Sequence, residues 1–334
     1  MSISLIRGIE TVPAIDAAKI KGLFKSIREA SGSLDLAFDL NVHENVEALF
    51  ITSLSASDEI RSGLVRLRAL LMANNLKATL QARLEKAEAR DTLDKRENAV
   101  TLVWQYIGRE VNELRGSMEQ VADSLTQAAL NMEQINLSAR PEKLLARLKM
   151  DTQQRRVELV KTTERHGQLL EDRQLLDDTI AALDKLDWKD LSELLPTAEE
   201  VEMLKADPTK TALIQVGLDR VKKLIGNVAG AITFRDAIRL RDELRAEQER
   251  AREGLRLSNA TLLEYTHREE ALGTVLALHD QKQSLQQELL RVAPVLGHYD
   301  LTLMMKHEAR DFAGLLKQVD ECATFVDGAY MQVR

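Results

Sequence analysis

Proline, glycine, cysteine and aromatic residues are all scarce in this 334-residue chain, which holds 5 Pro, 15 Gly, 1 Cys, 6 Phe, 4 Tyr and 2 Trp. Glycine and proline together make up about 6% of it, half the usual share of about 12%. Turns draw on those two residues, so few turns and long elements are expected. The same scarcity excludes an α/β enzyme with a Gly-rich phosphate loop and a β-sandwich. A single cysteine excludes a disulfide-stapled scaffold. No apolar run reaches the ~18 residues of a constitutive membrane span. The first ten residues lack a basic stretch followed by an apolar core, so no cleaved signal peptide is expected. The charge balance, 46 Lys+Arg against 53 Asp+Glu, argues against nucleic-acid binding.

What is abundant is Leu, Ala, Glu, Gln, Arg and Lys, the strong helix formers. With 44% hydrophobic residues there is ample material for burial. The expected fold class is therefore all-α. Residues 12–30 read as a short amphipathic helix with Ile20, Phe24 and Ile27 on one side. Leu34, Leu36, Phe38, Leu40 and Val42 then alternate with polar or small residues, an extended or helical lead-in. A helix follows from about Val46 to Arg90, with a break or kink suggested by Ser53, Ser55, Ser57 and Gly63. Helices of about 70 Å each are expected over 94–139 and 141–188, joined by a kink at Pro141 into one rod. Another rod spans about Phe234 to Val292 and is closed by Pro294 and Gly297. A last helix, about Leu301 to Tyr330, carries Phe312, Leu315, Val319, Cys322, Val326 and Tyr330 on one stripe, which makes Cys322 a buried structural thiol.

The remaining breakers concentrate at Pro196, Pro208, Gly217, Gly226 and Gly230. Thr197 and Glu200 form a capping box, and Asp207-Pro208 pairs an N-cap with proline at the first helical position. Two long segments flanking this short one imply an antiparallel hairpin. The expected architecture is a tail helical bundle (1–93 and 293–334), a coiled-coil stalk (94–189 and 235–292) and an amphipathic tip hairpin (190–234), elongated overall.

The tip holds the most unusual stretch. Ile214, Leu218, Val221, Ile225, Val228 and Ile232 step by four and three, one straight apolar stripe, widened by Leu213, Val216, Gly217 and Leu224 and ending at Phe234. Arg220, Lys222 and Lys223 lie among the polar positions, placed for lipid headgroups or a wet lumen. Gly226 and Gly230 form a small-xxx-small pair for close helix approach. Such a helix suits a membrane surface or a pore wall. It also suits a core helix packed on a bundle, but a tip at the far end of a stalk offers few partners. Elsewhere, the six histidines show no metal-site spacing, and no phosphate-loop or nucleophile-elbow motif occurs. Asn136-Leu137-Ser138 and Asn259-Ala260-Thr261 match the glycosylation sequon inside helical stretches. Trp104 and Tyr106 read as packing residues, and Trp188 as packing or an interfacial anchor.

This layout of helical tail, long hairpin and Gly-containing amphipathic tip resembles the α-helical pore-forming toxins of the cytolysin A type, and among them the B component of the xenorhabdolysin-type binary toxins. The resemblance covers essentially the whole chain. It implies a soluble monomer, without enzymatic activity or cofactor, that meets an A component and assembles into a hetero-oligomeric ring in a target-cell membrane. With no signal peptide expected, release would take another route, and neither nucleic acid nor a small-molecule substrate is expected as a partner. Asp219, Arg220, Lys222 and Lys223 interrupt the stripe, so a ring of tips sharing a polar lumen would be needed. A rival reading is an intracellular coiled-coil scaffold or tether whose tip binds a protein groove.

Overall fold

A computed structural model describes residues 15–73, 75–186, 194–203, 208–226 and 232–333. These form nine α-helices: α1 (Ala17–Ser33), α2 (Leu40–Arg68), α3 (Leu76–Glu88), α4 (Leu93–Gln134), α5 (Ala139–Asp184), α6 (Ala198–Met203), α7 (Pro208–Ile225), α8 (Phe234–Glu308) and α9 (Phe312–Val333). Among the described residues there is no strand, only a single antiparallel bridge between Leu194 and Thr233. The all-α expectation holds. Contacts divide the chain into two units, Met1–Leu145 with Glu270–Arg334, and Ala146–Glu269.

The first unit buries one continuous apolar core. Ile27 of α1, Leu49 and Leu67 of α2, Leu80 of α3, and Ile107, Met118 and Leu125 of α4 are fully enclosed. The C-terminal part of α8 and the stripe Leu315, Val319, Cys322 and Val326 of α9 complete it. The α9 stripe is the one read from sequence. Burial pushes the Cys322 thiol up to about 12. It is therefore protonated and shielded at pH 8, and the native chain should not react with a thiol reagent there. The same chain in denaturant should react fully, and fast reaction of the folded form would contradict this packing.

Several boundaries differ from the sequence reading, each for a physical reason. The alternating segment is a short turn leading into α2. Leu36 and Val42 are buried while Leu40 is exposed, and the extended Asp39 accepts from Val42 N at 3.0 Å as N-cap. Burial alone would raise the Asp39 carboxyl, but the Arg140 guanidinium fork and the Val42 amide hold it below its usual range. No break occurs at Ser53 or Gly63. Both are buried, and a Cβ at Gly63 would overlap Val121 of α4, so Gly63 sets a close α2–α4 contact, while the Ser53 hydroxyl donates to Phe50 O at 2.8 Å within its own helix. The bend comes later, at a wide helical turn over Ala69–Ala73 followed by Asn75 at φ 43°.

Nor does Pro141 make the kink. The helix stops at Gln134, and residues 135–138 are a true connection. Asn136 Oδ1 accepts from Ser138 N and Ala139 N, both at 3.2 Å, which caps α5. Pro141 then falls in the first turn of α5, where its missing N–H costs nothing. The buried Lys282 of α8 donates to Ile135 O at 2.6 Å, fixing this connection to the core. Burial holds its ammonium below the usual lysine range.

Pro294 and Gly297 do not end α8, which continues to Glu308 and is roughly 110 Å long. An interior proline costs about 3 kcal/mol. Val295 and Leu296, next to it, are fully buried, and that packing carries the helix through. The stop is made by Arg310 at φ 52° and by Asp311, which caps α9 through Gly314 N at 2.9 Å and pairs with Lys306 at 2.8 Å. The final helix therefore starts at Phe312, not near Leu301.

Candidate functional site

The second unit holds the C-terminal part of α5, the N-terminal part of α8, and α6 and α7 between them. The two long helices run antiparallel. Thr152 meets Glu269 at 2.5 Å, Arg165 meets Glu247 at 3.3 Å, Arg173 meets Gln248 at 2.8 Å and Asp177 meets Arg241 at 3.9 Å.

Local chemistry places the elements that connect them. The Thr197–Glu200 capping box forms as read: Glu200 Oε2 accepts from Thr197 N at 2.7 Å, and Thr197 Oγ1 accepts from Glu200 N at 3.3 Å. The Thr197 amide holds the Glu200 carboxyl below its usual range. Thr233 and Asp236 repeat the device at the start of α8. Leu195 N donates to Ile232 O at 2.9 Å, tying the two connections together. Pro208 is the first residue of α7, the position its fixed φ favours. Gly226, at φ 82°, ends that helix.

The single helix expected from 213 to 234 is therefore shorter. It stops at Ile225, and at 18 residues it is about 27 Å long. Ile232 and Phe234 lie half-buried beyond it, Phe234 opening α8. Val228, Gly230 and Trp188 lie outside the described residues. No described atom lies within 4 Å of a Cβ built on Gly226, whose role in this state is the left-handed cap.

The structure also supplies partners that the sequence reading did not foresee. Ile214 and Leu218 are buried with Leu183 of α5 and Val201 of α6. Val221 is buried with Leu169 and Leu176 of α5 and Leu244 of α8. Leu224 and Ile225 are half-buried against the second of these clusters, and Leu213 is half-buried outside both. Val216 departs from the expected stripe. Two residues past Ile214 it sits about 200° round the helix, 57% exposed, on the face of Arg220 and Lys223.

Two features hold α7 down, and neither showed in the sequence. Arg220 makes a fork to Asp172 of α5, 2.6 and 2.8 Å, with the Asp172 side chain only 13% exposed. That carboxylate raises the Arg220 guanidinium above its usual range. One turn away, a Cβ on Gly217 would overlap Thr179 Oγ1 and lie 2.8 Å from Thr179 Cβ, so the two helices touch at a spot open only to glycine. Asp172, Leu176, Thr179 and Leu183 form the α5 stripe on which α7 lies. Arg220 is thus engaged in this state, whereas Lys222 and Lys223 are exposed in the last turn of α7, where cations suit the helix dipole.

No protein-family model and no curated protein matches the sequence. Solved structures do match its fold. The chain is similar to PaxB from Photorhabdus luminescens, with a TM-score of 0.83 at 14% identity over 96% of this chain and 98% of that one. It is similar to XaxB from Xenorhabdus nematophila, with a TM-score of 0.79 at 14% identity over the same shares. It is also similar to a chain of the XaxAB pore complex from that organism, with a TM-score of 0.71 at 17% identity over 96% and 98%. The chain has the PaxB and XaxB fold. That fold accounts for nearly all of the sequence.

Proposed function

We propose that the chain is a non-enzymatic subunit of a two-component α-helical pore-forming toxin, which joins an A component and inserts its 190–234 segment into a target-cell membrane. The observation that carries this reading is an amphipathic helix, α7, kept with its apolar stripe inward on a fold shared with a chain of a pore complex. Among the described residues no helix is long and apolar enough to cross a membrane. Insertion therefore requires that α7 leave α5. Burial of one large aliphatic side chain is worth about 1.5–3 kcal/mol. Ile214, Leu218 and Val221 would regain that in lipid, while the Arg220–Asp172 pair and the Gly217–Thr179 contact would be lost. Storage and insertion thus use the same stripe. In this reading the tail, 1–93 and 293–334, and the stalk, 94–189 and 235–292, serve assembly, and the chain reaches the target membrane after release without a classical signal peptide.

The test is dye release from liposomes by the chain, by an A component, and by both together. Release that needs both is expected. No release in any combination would overturn the proposal and leave the tether reading standing.

A further inference from the structure

A groove of about 270 Å³ runs between α1 and α2 in the first unit. Its floor is apolar: Ile20 and Ile60 are buried, and Phe24 and Phe50 are half-buried. Leu54, 43% exposed, extends the apolar wall toward solvent. Its rim is cationic. Lys21, Lys25 and Arg28 lie along one side of α1, and Arg61 faces them from α2, with Asp58 the only carboxylate lining the groove.

This charge distribution runs against that of the chain, whose net charge is -7. Lys25 has a loose pair with Glu29 at 3.8 Å, both side chains being largely exposed. Among the described residues no carboxylate lies within ion-pair distance of Lys21, Arg28 or Arg61. Like charges stacked four residues apart on a helix destabilise it slightly. A concave, partly apolar wall also focuses their field, so an anion seated there is held more firmly than on an open surface. The rim thus calls for an anion and the floor for an aliphatic chain. A bare phosphate would leave the floor wet, and a neutral detergent would leave Lys21, Arg28 and Arg61 unmatched.

We propose that this groove binds an amphiphile with an anionic headgroup, phosphate or carboxylate, on an aliphatic chain. The headgroup lies among Lys21, Arg28 and Arg61, and the chain lies over Phe24 and Phe50. None of the α7 residues takes part in this site.

Calorimetric titration of the full chain with dodecyl phosphate, below its micellar concentration, tests this. Saturable binding with one site per chain is expected. Dodecyl maltoside and inorganic phosphate should each bind about tenfold more weakly or worse, since each lacks half of the match. The K21E/R28E variant, changed only at exposed positions, should weaken dodecyl phosphate by about tenfold or more. R61E serves as the second variant if the first does not fold by circular dichroism. Equal binding of the neutral detergent would mean a merely apolar site. Equal binding of inorganic phosphate would mean a plain anion site. Displacement by poly-glutamate would mean a surface for an acidic protein, and an unchanged Kd in the variants would place the amphiphile elsewhere. Each of these results overturns the proposal, as does the lack of saturable binding.

Discussion

Ile225→Asp should lower dye release by about a hundredfold, whereas Val216→Asp should leave it within a fewfold of the unchanged chain. Both residues belong to α7 and both substitutions add one negative charge, so helix propensity and net charge do not separate them. Their faces do. Ile225 continues the stripe of Ile214, Leu218 and Val221, while Val216 stands on the side of Arg220 and Lys223. An inserted helix that runs on from α7 to Phe234 puts Ile225 near its centre, where an aspartate costs about 2.5–3.5 kcal/mol, and each 1.4 kcal/mol is tenfold. On a face turned to water the cost nearly vanishes. Ile225 is half-buried in the folded chain, so its replacement also weakens the hold on α7. That effect has the opposite sign, because a looser hold would speed release of the helix. A loss of activity therefore cannot come from it. Circular dichroism should show both variants folded, and equal losses from the two would show that the stripe does not face lipid.

How much of this arrangement is readable without coordinates depends on whether a residue acts through its neighbours in sequence or through a partner. The Thr197–Glu200 box, Pro208 at a helix start and the α9 stripe are local, and they lie where the pattern puts them. The inward stripe of α7 is local as a pattern, but what it faces is not. Gly63 and Ser53 look like helix breakers until Val121 is seen across from Gly63. Pro294 looks like a stop until the burial of Val295 and Leu296 is known. Asn136 hides in a stretch with no glycine or proline, and its capping oxygen, rather than Pro141, separates α4 from α5. Val216 counts as apolar in any composition window, yet its angle on the helix puts it with the cations. The Arg220–Asp172 fork joins residues 48 apart in the chain, and no periodicity connects them.

Gly217 shows most sharply how a partner reverses a local rule, and it carries the second large expectation. In an isolated helix, replacing a glycine by a residue with a side chain is favourable, by up to about 1 kcal/mol for alanine. Here a Cβ runs into Thr179, which is itself 2% exposed and donates through Oγ1 to Leu175 O at 2.7 Å. Turning the Thr179 side chain would break its bond to Leu175 O and would not move its Cβ, which the backbone fixes 2.8 Å from the added Cβ. Gly217→Val adds two further methyl groups, and overpacking of this kind costs about 1–3 kcal/mol. The strain cannot be absorbed by α5, so α7 must lift, exposing Ile214 and Leu218. Amide exchange over 208–225 should accelerate by about 10- to 100-fold, and binding of a hydrophobic dye should rise with it. Moving the small residue to the other helix, with Thr179→Gly added to Gly217→Val, restores nearly the same total volume and should recover much of the protection. Exchange that stays at the level of the unchanged chain in the single variant would mean that this contact does not hold α7 in place. If the single variant also associates with vesicles faster than the unchanged chain, the Gly217–Thr179 contact sets the barrier to releasing the stripe, and glycine stands there to let the helix close.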